Sequence, residues 1–111
     1  MGTNQTWAKV VGVVLLLVGV LGFFMGDSVF GLGVNTLHNI VHLLTGAIFA
    51  WAGFAASAPT KQVNQWLGII YVLVGIVGFF ALQDLLALNA ADNVLHIVIG
   101  VVSAGIAMKA D

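Results

Sequence analysis

Asn35-Thr-Leu-His-Asn-Ile-Val-His-Leu-Leu-Thr-Gly46 decides the fold, because Asn89-Ala-Ala-Asp-Asn-Val-Leu-His-Ile-Val-Ile-Gly100 repeats its pattern. Asn35, Asn39, His42 and Gly46 return as Asn89, Asn93, His96 and Gly100, each 54 positions later. Upstream, Gly12, Gly19, Gly22, Phe23 and Phe24 return as Gly68, Gly75, Gly78, Phe79 and Phe80, each 56 positions later. Self-similarity of this kind marks one supersecondary unit used twice. The unit reads as a hairpin of two apolar segments. Repeat 1 covers about residues 7–58 and repeat 2 about residues 63–109, within a single domain of residues 1–111.

The solvent around these hairpins follows from composition. The chain is 61% hydrophobic and 6% charged, with a mean hydropathy of +1.15. A soluble domain carries about 25% charged residues. Here the charged set is Lys9, Lys61, Lys109, Asp27, Asp84, Asp92 and Asp111, with no Arg or Glu. So little charge does not cover the surface of a 111-residue globule, so the outside faces lipid. Four apolar stretches, about residues 8–25, 36–58, 65–82 and 90–108, each approach the roughly 20 residues that cross a bilayer as a helix. Val-rich runs would favour strands in water, but in lipid the backbone must satisfy its own hydrogen bonds and helix prevails. The segments neither alternate nor suffice in number for a barrel. The expected fold is all-α: an integral membrane four-helix bundle of two tandem transmembrane hairpins. The repeats run parallel, related by a pseudo-two-fold axis along the membrane normal.

Lys9, Lys61 and Lys109 fall on one side of such a bundle, and Asp27, Asp84 and Asp92 on the other. The positive-inside rule then puts both termini of a multi-pass protein in the cytoplasm, with Trp7, Trp51 and Trp66 near that face. The first segment lacks a small-residue cleavage site and has a twin in the third, so it reads as a retained span and not a signal peptide. The chain has no cysteine, hence no disulfide. It has no phosphate loop, no nucleophile context at Ser28, Ser57 or Ser103, and no basic patch for nucleic acid. The Tyr71 hydroxyl reads as a packing hydrogen bond.

Glycines spaced seven apart form helix–helix seams, since close backbone approach supplies contact energy in lipid. Gly46 and Gly100, each one turn below a histidine, are also where a flat cofactor would find room. Asn35 and Asn89 read as N-caps, with Asp92 at the third helical position and His38 in the matching place. Asn39, His42, Asn93 and His96 continue the same stripes inward. Polar groups at that depth belong in the bundle interior.

The first reading is a hydrogen-bonded network of Asn35, Asn39, Asn89, Asn93 and the histidines, in which the asparagines bridge the repeats and fix register. The second is a ligand site. His38, His42, Asp92 and His96 form a set suited to zinc or another divalent ion. Alternatively His42 and His96, on diagonal helices, ligate a haem or a chlorophyll-type pigment above Gly46 and Gly100.

These motifs, with Tyr71-Val-Leu-Val-Gly75-Ile-Val-Gly78, resemble the signature of a bacterial membrane family known as domain of unknown function 4383. The resemblance runs over nearly the whole chain. It implies a four-helix protein of the bacterial plasma membrane and gives weight to His38, Asn39, His42, Asp92, Asn93 and His96, without an activity. The leading expectation is a non-catalytic accessory or scaffold subunit in the lipid bilayer, associating with itself or a larger membrane complex. The alternative is a metal- or tetrapyrrole-binding subunit.

Overall fold

The structure, a computed structural model, describes residues 2–111. Its elements are α1 (Thr3–Phe24), β1 (Ser28–Val29), β2 (Leu32–Gly33), α2 (Thr36–Phe54), α3 (Thr60–Val77), α4 (Gln83–Leu86) and α5 (Ala90–Lys109). Both expected caps are present. The Asn35 side chain accepts from His38 N–H at 2.9 Å. Asn89 and Asp92 form a reciprocal capping box, satisfying two helix-end donors at once.

Three boundaries differ from expectation. Helix α2 stops at Phe54, where Ala55 turns extended and Thr60 Oγ1 closes the corner on the Ala52 carbonyl at 2.7 Å. Helix α3 starts directly after Pro59, so its first turns include Lys61, Gln62, Asn64 and Gln65. It ends at Val77, before the chain enters the left-handed region at Leu82. Helices α1, α2 and α5 are long and apolar enough to cross a membrane. Helix α3 falls outside that set because of its polar first turns. The loops hold structure that hydropathy did not announce. Ser28–Gly33 is an antiparallel hairpin whose turn residues Phe30 and Gly31 both have positive φ (50° and 87°), as a tight two-residue turn requires.

Helix α1 lies along α2, and α3 along α5, in the two extensive contacts of the molecule. Smaller contacts of α1 and α2 with α3, and of α1 with α5, join the pairs, while α2 and α5 stand apart. Small residues set both seams. A Cβ built on Gly12 would meet the Ala50 backbone, and one on Gly46 would come within 2.9 Å of Leu16 N. One on Gly68 would lie 2.7 Å from Ala104 N, and one on Gly100 2.5 Å from Gly68 O. Gly46 and Gly100 therefore face α1 and α3, and the room beside them expected for a flat cofactor is filled by neighbouring backbone.

Burial is inverted relative to a soluble protein. Ten polar or charged side chains are buried among the described residues, as many as hydrophobic ones, while large apolar residues such as Leu17, Leu44, Leu73 and Val101 are exposed. One end of the bundle gathers both termini: Asn4 N–H donates to the Asp111 carbonyl at 2.9 Å, and Asn64 reaches the Asn4 side chain at 2.9 Å. The two loops and the caps of α2 and α5 occupy the other.

Candidate functional site

Below those loops, α2 and α5 each send imidazoles across the space between them. His38 and His42 are one turn apart on α2, with ring centroids 4.3 Å from each other. His96 comes from α5, 5.5 Å from His38 and 6.0 Å from His42. All three are at most 6% exposed. One nitrogen from each ring can be chosen so that all lie within 4.8 Å of one another. His42 Nδ1 and His96 Nδ1 are buried with no hydrogen-bond partner, while the His38 ring, without a well-aligned hydrogen bond, stands against the backbone of Leu86 and Gly33. A buried polar atom without a partner costs about 1–3 kcal/mol.

A cavity of about 50 Å³ opens beside the rings, lined by all three histidines, Thr45 and Tyr71 with Val41, Ile70, Val74 and Leu86. Thr45 Oγ1 donates to the Val41 carbonyl at 2.8 Å and lies 2.7 Å from the Tyr71 hydroxyl. The Tyr71 ring stands edge-on to His96 at 5.4 Å. A second space of about 40 Å³ touches His42, His96 and Asp92 on the other side.

The remaining candidates take other places. Asp92 is buried, but its Oδ2 accepts from Asn89 N–H at 2.9 Å, and it does not join the histidine group. It stands close enough to His38 for its charge to act on the ring. Asn39 and Asn93 do not bridge the halves to the histidines. Each turns its Oδ1 against a glycine of its own helix pair, Asn39 against Gly22 and Asn93 against Gly78, and finds no hydrogen-bond partner there. Asn35 and Asn89 do cross between the halves. Asn35 Nδ2 donates to the Leu85 carbonyl and Asn89 Nδ2 to the Gly31 carbonyl, both at 2.9 Å. Gly33 comes so close to the Ala87 carbonyl that a Cβ there would overlap it. The two loops are thus tied over the histidines.

Replacing Asn89 by alanine removes a cap and a loop tie together, and is expected to destabilise the protein by about 1–2 kcal/mol in denaturant titration in micelles. Asn89→Ser keeps a capping oxygen, loses only the tie and should cost less.

Two polar contacts at the termini end, Asn4 with Asn64 and Trp7 with Ser103, have no counterpart among the sequence expectations. Asn4 and Asn64 are fully or nearly fully buried, and Trp7 Nε1 donates to Ser103 Oγ at 2.7 Å. Asparagines in the first turns of apolar helices were the available signal.

A tetrapyrrole does not fit this geometry. His38 occupies the third corner beside His42 and His96, and the two spaces of about 50 and 40 Å³ are far below the roughly 300 Å³ at which cofactor pockets begin. A single ion does fit, since three neutral imidazoles are a common transition-metal set.

The family model described as Domain of unknown function (DUF4383) matches residues 5–109. The chain belongs to that family. The match takes in both helix pairs of this DUF4383 member, with all three histidines and both capping asparagines. No curated protein and no solved structure gave a match.

Proposed function

We propose that this chain is a multi-pass protein of the bacterial plasma membrane, a four-helix bundle of two tandem hairpins that binds one divalent transition-metal ion through His38, His42 and His96. The observation that carries the metal is the convergence of three buried imidazoles, with His42 Nδ1 and His96 Nδ1 unpartnered. A metal–nitrogen distance of about 2.1 Å asks for nitrogens roughly 3.4 Å apart, so binding draws the rings together from their present spread of up to 4.8 Å. With no thiolate in the chain, the set suits zinc, nickel or copper(II). Asp92 holds the start of α5 by accepting from Asn89 N–H.

Three paired observations support the tandem hairpin. Gly22 meets Asn39 as Gly78 meets Asn93, Asn35 reaches Leu85 as Asn89 reaches Gly31, and Gly33 faces its counterpart Ala87. The lysine distribution and the shared end of the termini support a cytoplasmic placement of both.

Metal analysis of protein purified from membranes without chelator tests the metal. We expect one zinc-class ion per chain, retained on gel filtration and lost in His42→Leu; metal-free protein that takes up none on reconstitution refutes the site. A second reading is the bare scaffold, a non-catalytic accessory subunit whose polar residues only fix register. The packing of Asn39 and Asn93 on glycine seams favours it. Under that reading His42→Leu changes no metal content, so the same measurement separates the two.

A further inference from the structure

The repeat that builds the bundle also duplicates its cavities. The first, of about 50 Å³, lies between α2 and α3, and the second, of about 40 Å³, between α1 and α5. Their walls correspond position by position. Val14, Leu15 and Val18 line the second where Ile70, Tyr71 and Val74, 56 positions on, line the first. At the other offset of 54, His38, Val41 and Thr45 of the first answer to Asp92, Leu95 and Ile99 of the second. Leu86 answers to Leu32 in the same way. His42 and His96 exchange places and line both, so their rings form the partition between the two spaces. The walls are carbon almost throughout. The Thr45 and Tyr71 hydroxyls are bonded to each other at 2.7 Å, and Asp92 Oδ2 accepts from Asn89 N–H at 2.9 Å.

The seams explain why room is left there. Every helix glycine whose added Cβ would touch another helix meets its own pair partner, α1 with α2 or α3 with α5. No glycine draws α2 to α3 or α1 to α5, so larger side chains hold those backbones apart. Each wall also includes a residue about half exposed on the apolar outer surface, Ile70 at 47% and Val14 at 48%. We propose that the two cavities are paired binding sites for a small apolar molecule of a few heavy atoms, dioxygen in size, which enters sideways from the acyl-chain layer. Wall chemistry excludes water, which needs about two to four polar partners, whereas an apolar cavity stays dry and takes xenon or benzene. Size narrows the class. The benzene-binding case measures about 150 Å³ and a one-water space about 10–15 Å³, so these cavities hold a few atoms and no ring. Leu32 and Leu86 come from the loop end of the bundle, away from the mid-bilayer depth where acyl chains finish, which favours a free molecule over a lipid tail. The sites stand whether or not the histidines hold an ion.

Xenon tests this on the full chain in micelles, in chelator so that the outcome does not turn on a metal. Labelled methyl groups are followed by NMR as xenon pressure rises. Saturable shifts are expected in two clusters, Val41, Val74 and Leu86 around the first cavity and Val18, Leu32 and Leu95 around the second. The exposed Leu17, Leu44 and Val101 should shift weakly and linearly, as xenon dissolves in the micelle. Val74→Leu and Val18→Leu each add a methylene to one partly buried wall position. Each should abolish saturation in its own cluster and leave the other intact, and the surviving cluster shows that the variant has folded. Linear shifts at all methyls overturn the proposal, as does saturation that neither variant removes. Cross-peaks from the detergent chain end to Val41 and Val74, without xenon saturation, overturn it in favour of a lipid tail.

Discussion

Gly100→Val is expected to unfold the α3–α5 pair, while Gly105→Val, five residues along the same helix, leaves the protein unchanged. At Gly100 a Cβ would lie 2.5 Å from Gly68 O and 2.6 Å from Val72 N and Val72 Cγ2. Two of those atoms are backbone, so relief requires the helices to move apart. In lipid that separation removes the main source of association, because apolar side chains gain little by leaving acyl chains for one another. Overpacking a tight core by a methylene or two costs about 1–3 kcal/mol, and valine adds three carbons at the closest point of the seam. A loss above about 4 kcal/mol consumes much of the 5–15 kcal/mol that a domain has. At Gly105 nothing lies within 4 Å of an added Cβ. Denaturant titration in micelles, with size-exclusion profiles, compares the two. A Gly100→Val protein as stable as wild type would remove the seam from the account of the fold.

The contrast shows which parts of the fold hydropathy and spacing could reveal. The positions of Gly12, Gly46 and Gly68 were legible as seams because a seven-residue period to Gly19, Gly53 and Gly75 keeps one stripe of a helix, whereas Gly100 has no such partner in its helix. The caps at Asn35 and Asn89 were legible because Asn before an apolar run has one main structural use. Helix α3 was misplaced at its start because Lys61, Gln62 and Asn64 resemble a linker in composition. Asn64 is in fact buried and bonded to Asn4 on another helix, a pairing that depends on tertiary approach and leaves no local trace. The Ser28–Gly33 hairpin was missed for a related reason: two-residue strands carry no period, and only the Phe30-Gly31 turn geometry creates them.

The histidine site was legible as three rings on two stripes, and not as geometry. The apparent bridging role of Asn39 and Asn93 came from their place on the His42 and His96 stripes, but a stripe is wider than one contact. Seen along the helix, Asn39 turns toward Gly22 on α1 while His42 points to α5, and that division is decided by which helix lies nearest each face. Asp92 shares an i, i+4 relation with His96, yet the capping box holds it at the start of α5. The Tyr71 hydroxyl reads as a packing hydrogen bond, and its partner, Thr45 Oγ1 at 2.7 Å, is visible only in the fold.

Replacing His42 with leucine is expected to reverse its sign of effect when metal is withdrawn. With metal present, the wild-type protein gains RT ln(1 + [L]/Kd) over its metal-free form, about 4 kcal/mol at a thousandfold excess over Kd, and the variant gains little because a two-histidine remnant binds weakly. Wild type should then be the more stable by several kcal/mol. With metal removed by chelator, the wild-type chain is left holding unpartnered imidazole nitrogens in an apolar interior, His42 Nδ1 among them. Each such atom costs about 1–3 kcal/mol, and an apolar side chain of similar size avoids that cost. The metal-free variant should therefore unfold about 1–2 kcal/mol later than the metal-free wild type. Unfolding in micelles with zinc and with chelator gives all four values. If the histidines were packing groups alone, the wild type and the variant would keep one order of stability in both conditions. A crossing of that order ties the buried polarity of this bundle to an ion, because only a group that is costly alone and favourable when bound gives opposite signs in the two states.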